Sequence, residues 1–151
     1  MQILRLFFPL QIFLDCGKEF TGIKGRFSTP NYPYHYPSYT ECTWIINSPV
    51  DIRYPEIVLK FRQLDIEAQP LCSYDYVEVG YGNISEKNII GKFCGQIKPR
   101  PIKSRSRVIW LRFVSDAEKT YKGFLASWKV KQALHPKPFP NPGSNAVNGK
   151  S

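Results

Sequence analysis

Between residues 42 and 130 the chain alternates apolar with polar residues over short stretches, and no long stretch holds a helical period. The stretches are CTWII (42–46), EIVLKF (56–61), YVEV (76–79), RVIWLRF (107–113) and GFLASWKV (123–130). In EIVLKF, Ile57, Leu59 and Phe61 share one side. In RVIWLRF, Val108, Trp110 and Arg112 share one face while Ile109, Leu111 and Phe113 share the other. That stretch is apolar on nearly both faces and belongs in the middle of a sheet. Turn material separates the stretches: TPNYPYHYP, NSP, GYGN and KPRP. Short strands at roughly even spacing predict an all-β sandwich of two packed sheets. Trp44, Trp110, Trp128 and the phenylalanines are expected in its core, and Tyr32, Tyr34 and Tyr36 partly exposed, a candidate sugar-binding patch.

At 151 residues the chain suits one domain with a core of ordinary size. Four cysteines stand at 16, 42, 72 and 94, with no CxxC pair and no zinc or redox spacing. An even number of separated cysteines fits two disulfides in an oxidising compartment. Three connectivities are open, and spacing alone does not choose among them. Sequential pairing, Cys16–Cys42 and Cys72–Cys94, is favoured because each pair would close a hairpin-sized unit. Asn83 opens the tripeptide NIS among turn residues, an N-glycosylation acceptor pattern that also points outside the cell.

The two ends differ from the middle. Residues 1–15 carry an apolar run from Leu6 to Leu14 after one positive charge, Arg5. The run suits a signal-peptide core and is too short to span a bilayer. It meets Cys16 without a small-residue cleavage site and contains Pro9, so it reads as an atypical or replaced leader. Residues 131–151 are rich in Pro, Asn, Gly and Ser and read as a disordered tail or linker stub. The folded unit is therefore expected over 16–130.

Several short motifs appear in a recognisable order. They are CG (16–17), STPNYPYHYP (28–37), CTWII (42–46), IVLKFRQLDIE (57–67), CSYDYVEV (72–79), GKFCG (91–95), LRFVSD (111–116) and KGF (122–124). In this order the chain resembles the CUB domain family, extracellular modules of complement and tolloid-type proteases and of receptors. The resemblance implies a jelly-roll β-sandwich of two antiparallel sheets and the pairing of the first two and the last two cysteines. It also implies a calcium site at one end of the sandwich, with Glu67, Asp75 and Asp116 as ligands and Tyr36 bracing a ligand carboxylate. In the family the ordered carboxylates then receive a basic side chain of a protein partner.

Elementary electrostatics agrees with such a site. Converging acids repel one another unless a cation sits between them, and calcium takes six to eight hard oxygens. The chain has only twelve acids against a net charge of +9, so a Glu-Asp-Asp constellation is conspicuous. The bland alternative is local pairing: Glu67 with Lys60 or Arg62, Asp75 with a backbone N–H, Asp116 with Lys119. Three positions after Asp116, where calcium-binding relatives often carry Asn or a small polar residue, this chain has Lys119. Its carbonyl would serve as a ligand and its ammonium as a competitor.

The basic balance favours anionic partners. The run KPRPIKSRSR supplies Lys98, Arg100, Lys103, Arg105 and Arg107 with no acid, a rival site for heparan sulfate or a solvated loop. No helix-turn-helix, RNP or finger pattern suggests nucleic acid. Of the two histidines, His35 and His135, neither has a nucleophile motif beside it, so catalysis is not expected. The expected function is a secreted, calcium-dependent protein-binding module, with glycan binding or a shortened product lacking its own ligand as alternatives.

Overall fold

In the computed structural model, β4 (Thr40–Asn47) shows most plainly how the pattern becomes structure: Thr40, Cys42, Trp44 and Ile46 are buried and the residues between them are half-buried. The structure describes residues 3–7 and 11–134, with side chains from Asp15 onward. The other strands are β1 (Ile3–Phe7), β2 (Gln11–Thr21), β3 (Lys24–Ser28), β5 (Pro55–Ile66), β6 (Tyr76–Tyr81), β7 (Asn88–Phe93), β8 (Gly95–Ile97), β9 (Ile102–Ser104), β10 (Val108–Val114) and β11 (Gly123–Gln132). One 3-10 turn, Ile84–Glu86, lies between β6 and β7.

The strands form two sheets. One has six strands in the order β1-β2-β4-β10-β6-β7; the other has five, β3-β11-β5-β8 with β9 also paired to β5. As its two apolar faces predict, β10 is interior, paired with β4 and β6. Among the described residues every pairing is antiparallel except β2 with β4. Between these two the chain crosses to the other sheet as β3 and returns through residues 29–39, so β4 re-enters in the direction of β2.

The first disulfide closes a unit of hairpin size that is not itself a hairpin. Cys16 and Cys42 are bonded and stand opposite each other on the parallel pair β2–β4. The second disulfide, Cys72–Cys94, does enclose a hairpin, β6–β7. Both cysteine pairs are those expected.

The core is a chain of aromatic contacts between the sheets. Phe27 stacks on Trp44 with ring centroids 4.9 Å apart, Trp44 meets Phe124 edge-on at 5.5 Å, and Phe124 meets Phe61 at 5.3 Å. Such geometries add to area burial. Trp128 joins this core; Trp110, expected there, does not. Trp110 is 2% exposed, but it lies on the outer face of the six-stranded sheet, beside Ile84, Ile89 and Arg112. It fits because its cross-strand partner is Gly80; a Cβ there would run into the indole ring.

β1 and β2 pair antiparallel, with Leu6 opposite Ile12. β2 begins at Gln11, ahead of Cys16. β11 continues to Gln132, past the expected boundary at 130, and the rest of the expected tail from residue 135 lies outside the described residues.

Candidate metal site

Three loops meet at one end of the sandwich. β6 and β10 are antiparallel neighbours with Tyr76 opposite Val114, so Asp75, just before β6, and Asp116, just after β10, fall side by side. Glu67 follows the last residue of β5 and arrives from the other sheet. Residues 36–40 close the site and are tied to the 115–121 loop. The Tyr36 N–H donates to the Tyr121 carbonyl at 2.9 Å and the Tyr39 N–H to the Asp116 carbonyl at 3.0 Å. Ser115 Oγ donates to the Pro37 carbonyl at 2.7 Å and accepts from the Thr40 N–H at 3.0 Å.

Glu67, Asp75 and Asp116 each offer a carboxylate oxygen, and these atoms all lie within 4.8 Å of one another. Asp75 is fully buried, with both oxygens engaged. Oδ2 accepts from the Tyr36 hydroxyl at 2.6 Å and Oδ1 from the Asp116 N–H at 2.7 Å. Tyr36, expected partly exposed, is 1% exposed, and its hydroxyl also accepts from the Glu67 N–H at 3.3 Å. Tyr34 is exposed and Tyr32 half-buried, so the three tyrosines do not form one surface patch. Asp116 is half-buried, and its Oδ1 accepts from the Glu118 N–H at 3.1 Å.

Glu67 is the telling member. Its Oε2 is buried and has no hydrogen-bond partner. Among the described residues no ion pair joins it to Lys60 or Arg62, and none joins Asp116 to Lys119. A buried carboxylate oxygen without a donor is costly. The protonation equilibria register the strain. Burial pushes the Asp75 carboxyl up to about 6; the bonds from Tyr36 and Asp116 oppose the rise, and the charges of Asp116 and Glu67 add to it. Burial and the charge of Asp116 also raise Glu67, and Lys119 offsets part of this. Burial and Asp75 push the Tyr36 phenol far up, so it stays protonated as a donor.

The residues fit a hard cation. Three carboxylates of mixed exposure converge, and one buried oxygen lacks a partner. The sequence reading missed Tyr39 and Tyr74, which line the cleft beside Glu67, Asp116 and Lys119. Tyr74 lay in the quoted CSYDYVEV motif, but nothing in its spacing marked it as a cleft wall.

The remaining candidates lie elsewhere. Asn83 is exposed and caps the 3-10 turn, its Oδ1 accepting from the Ser85 N–H at 3.0 Å. The 98–107 run does not present five free cations together. Arg105 pairs with Glu56 at 3.8 Å, and Arg107 donates to the carbonyls of Pro49 and Ile52 at 3.4 and 3.1 Å. Lys98, Arg100 and Lys103 are exposed. His35 is exposed and stacks on Tyr121; His135 lies outside the described residues.

Residues 16–128 match the CUB domain family, and the chain belongs to that family. It is 38% identical to cubilin of Rattus norvegicus over 116 residues, covering 77% of this chain and 3% of cubilin. It is 40% identical to the membrane frizzled-related protein of Mus musculus over 118 residues, 78% of this chain and 20% of that protein. The chain thus spans a small part of these curated relatives. Among solved structures it is similar to the MASP-1 CUB2 domain bound to Ca2+, with a TM-score of 0.64 and 32% identity, over 74% of this chain and 96% of that one. CUB domains are typically extracellular interaction modules without catalysis of their own. Among the described residues no helix is long and apolar enough to cross a membrane.

Proposed function

We propose that this chain is an extracellular CUB module whose Glu67, Asp75 and Asp116 hold one calcium ion and whose ordered end then docks a basic side chain of a protein partner. The observation that carries the reading is the convergence of the three carboxylates around a buried, unpartnered Glu67 Oε2. The similarity to a Ca2+-bound CUB2 domain supports it.

When bound, calcium supplies the positive charge that lets three acids stay ionised together. The chain's own residues do the rest. Tyr36 fixes the orientation of Asp75, and the Asp116 N–H fixes the other oxygen of the same carboxylate. Asp116, half-buried, keeps carboxylate surface toward the cleft, where an incoming lysine or arginine makes a charge-assisted hydrogen bond. Exposed Tyr74 flanks that position and covers the partner's aliphatic stem. Asn83, exposed and distant in the fold from this cleft, is the proposed glycan acceptor.

The experiment is thermal unfolding of the secreted, oxidised protein in about 2 mM calcium and in EDTA, a concentration that fills even weak extracellular sites. At a dissociation constant of about 10⁻⁴–10⁻³ M, this concentration adds about 0.6–1.8 kcal/mol, a few degrees for a domain of this size. The gain is expected in the wild type and not in Asp116→Ala. A wild type indifferent to calcium overturns the reading.

A further inference from the structure

The outer surface of the five-stranded sheet collects exposed basic side chains that are far apart in sequence: Lys24 and Arg26 on β3, Lys129 and Lys131 on β11, Lys60 on β5 and Lys103 on β9. The residues alternating with them, Phe27, Trp128, Ile57 and Leu59 among others, face the core. Register turns the scattered cations into rows. Lys129 stands opposite Lys24 on one side and Val58 on the other, and Val58 stands opposite Lys103. With strands about 4.8 Å apart, this row spans about 14 Å. In the next row Ser127 lies between Arg26 and Lys60.

Like charges directly opposite one another destabilise a sheet. Lys131, two residues along the strand, and Lys60, on the diagonal, depress the Lys129 ammonium below its ordinary value, a sign of charge crowding on this face. Relief from within the sheet is scarce. Glu56 stands opposite Lys131 at the margin and pairs with Arg105 at 3.8 Å, outside the two rows, and Asp65 is buried toward the far end of β5. None of the six cations forms an ion pair among the described residues. The exposed apolar side chains nearest the face, Ile23, Tyr54 and Leu134, lie at one end of the strands and not among the cations. The face is therefore a charged plane with nothing to insert into lipid, and its rows suit an extended chain of anions.

We propose that this face binds a sulfated glycosaminoglycan chain laid across the strands, with Lys24, Lys129 and Lys103 meeting one group of sulfates and Arg26 and Lys60 the next. The surface differs from the 98–107 run, of which only Lys103 enters the rows. It is also independent of the carboxylate site.

The test uses heparin as the probe and the disulfide-bonded chain. Lys24→Ser/Lys60→Ser/Lys129→Ser is compared with Lys18→Ser/Lys87→Ser/Lys92→Ser, which removes as much charge from β2, from β7 and from the turn just before β7. The first triple variant is expected to bind about tenfold more weakly at about 0.15 M salt, and the second to stay within about twofold of wild type. Lys129→Glu alone, a milder change to the fold, is expected to weaken binding about threefold or more. Binding unaffected by EDTA is also expected. Equal losses in the two triple variants, retention of full binding in both sheet-face variants, or loss in EDTA would overturn the proposal. So would preference for phosphatidylserine vesicles over heparin, which would make the face a membrane contact.

Discussion

The Tyr36 hydroxyl donates a 2.6 Å hydrogen bond to Asp75 Oδ2 across a separation of 39 residues, with both side chains buried. It gives one oxygen of the most buried acid in the candidate site its partner. Tyr36→Phe keeps the ring against Phe113, at 4.9 Å between centroids, and removes the hydroxyl that donates to Asp75 and accepts from the Glu67 N–H. A buried acceptor left alone costs about 1–3 kcal/mol. The expected outcome is a lower urea midpoint in EDTA with an unchanged slope, together with weaker calcium binding by titration.

The raised Asp75 carboxyl predicts a pH dependence with a definite sign. Its folded value is about 6 against an ordinary 3.8, so between those values the folded, metal-free protein binds more protons than the unfolded chain. Stability without calcium should therefore fall as pH rises through that window. Calcium competes with the proton, so its stabilising effect should grow over the same range and level off above it. Melting temperatures in calcium and in EDTA at several pH values check both slopes. Asp75→Asn should flatten the EDTA curve.

The two disulfides should be separable. They join residues 26 and 22 apart, so chain entropy gives them similar weight, and loss of either should cost about 2–5 kcal/mol. Only Cys72–Cys94 anchors the loop between Glu67 and Asp75. Replacing Cys72 and Cys94 by serine should weaken calcium binding as well as stability. Replacing Cys16 and Cys42 should leave calcium affinity intact once the protein is folded at low temperature.

Lys119 lies in the cleft and opposes the rise of Glu67. It is exposed, so its influence is screened. Lys119→Ala should tighten calcium binding about two- to fivefold at low ionic strength, with the gain shrinking as salt is added. Isothermal titration at two salt concentrations measures it.

Gly80 carries a packing prediction remote from the site. Gly80→Ala drives a methyl group into the Trp110 ring, and overpacking costs typically 1–3 kcal/mol, here about that much. The variant should melt lower in calcium and in EDTA alike, leaving the calcium-dependent difference unchanged.

What was legible in the chain was local. The strict alternation of β4 and the two apolar faces of β10 announced strands and, for β10, an interior place. Period two also put Trp110 with Arg112, opposite Ile109 and Leu111, but it does not say which face is the core. That depended on β6 and on a glycine at the facing position. Tyr36 looked exposed because its neighbours are turn residues; its burial comes from contacts with Asp75, Phe113 and the 115–121 loop, all distant in sequence. The parallel β2–β4 pair arises from a detour through the other sheet, which spacing does not encode. The basic rows likewise exist only through cross-strand register. The acids could be named because each sits in a short motif, yet their 4.8 Å convergence is a tertiary fact.

Glu67 leaves the end of β5 in the five-stranded sheet, whereas Asp75 and Asp116 flank strands of the six-stranded one. A cation shared by the three would act as a clasp across the mouth of the sandwich. Parting of the sheets at that end and release of the ion then become a single event. Amide exchange at Ile66, Tyr76 and Val114 would slow together when calcium is added, while the opposite end, near Asn47 and Val108, would keep its own rhythm.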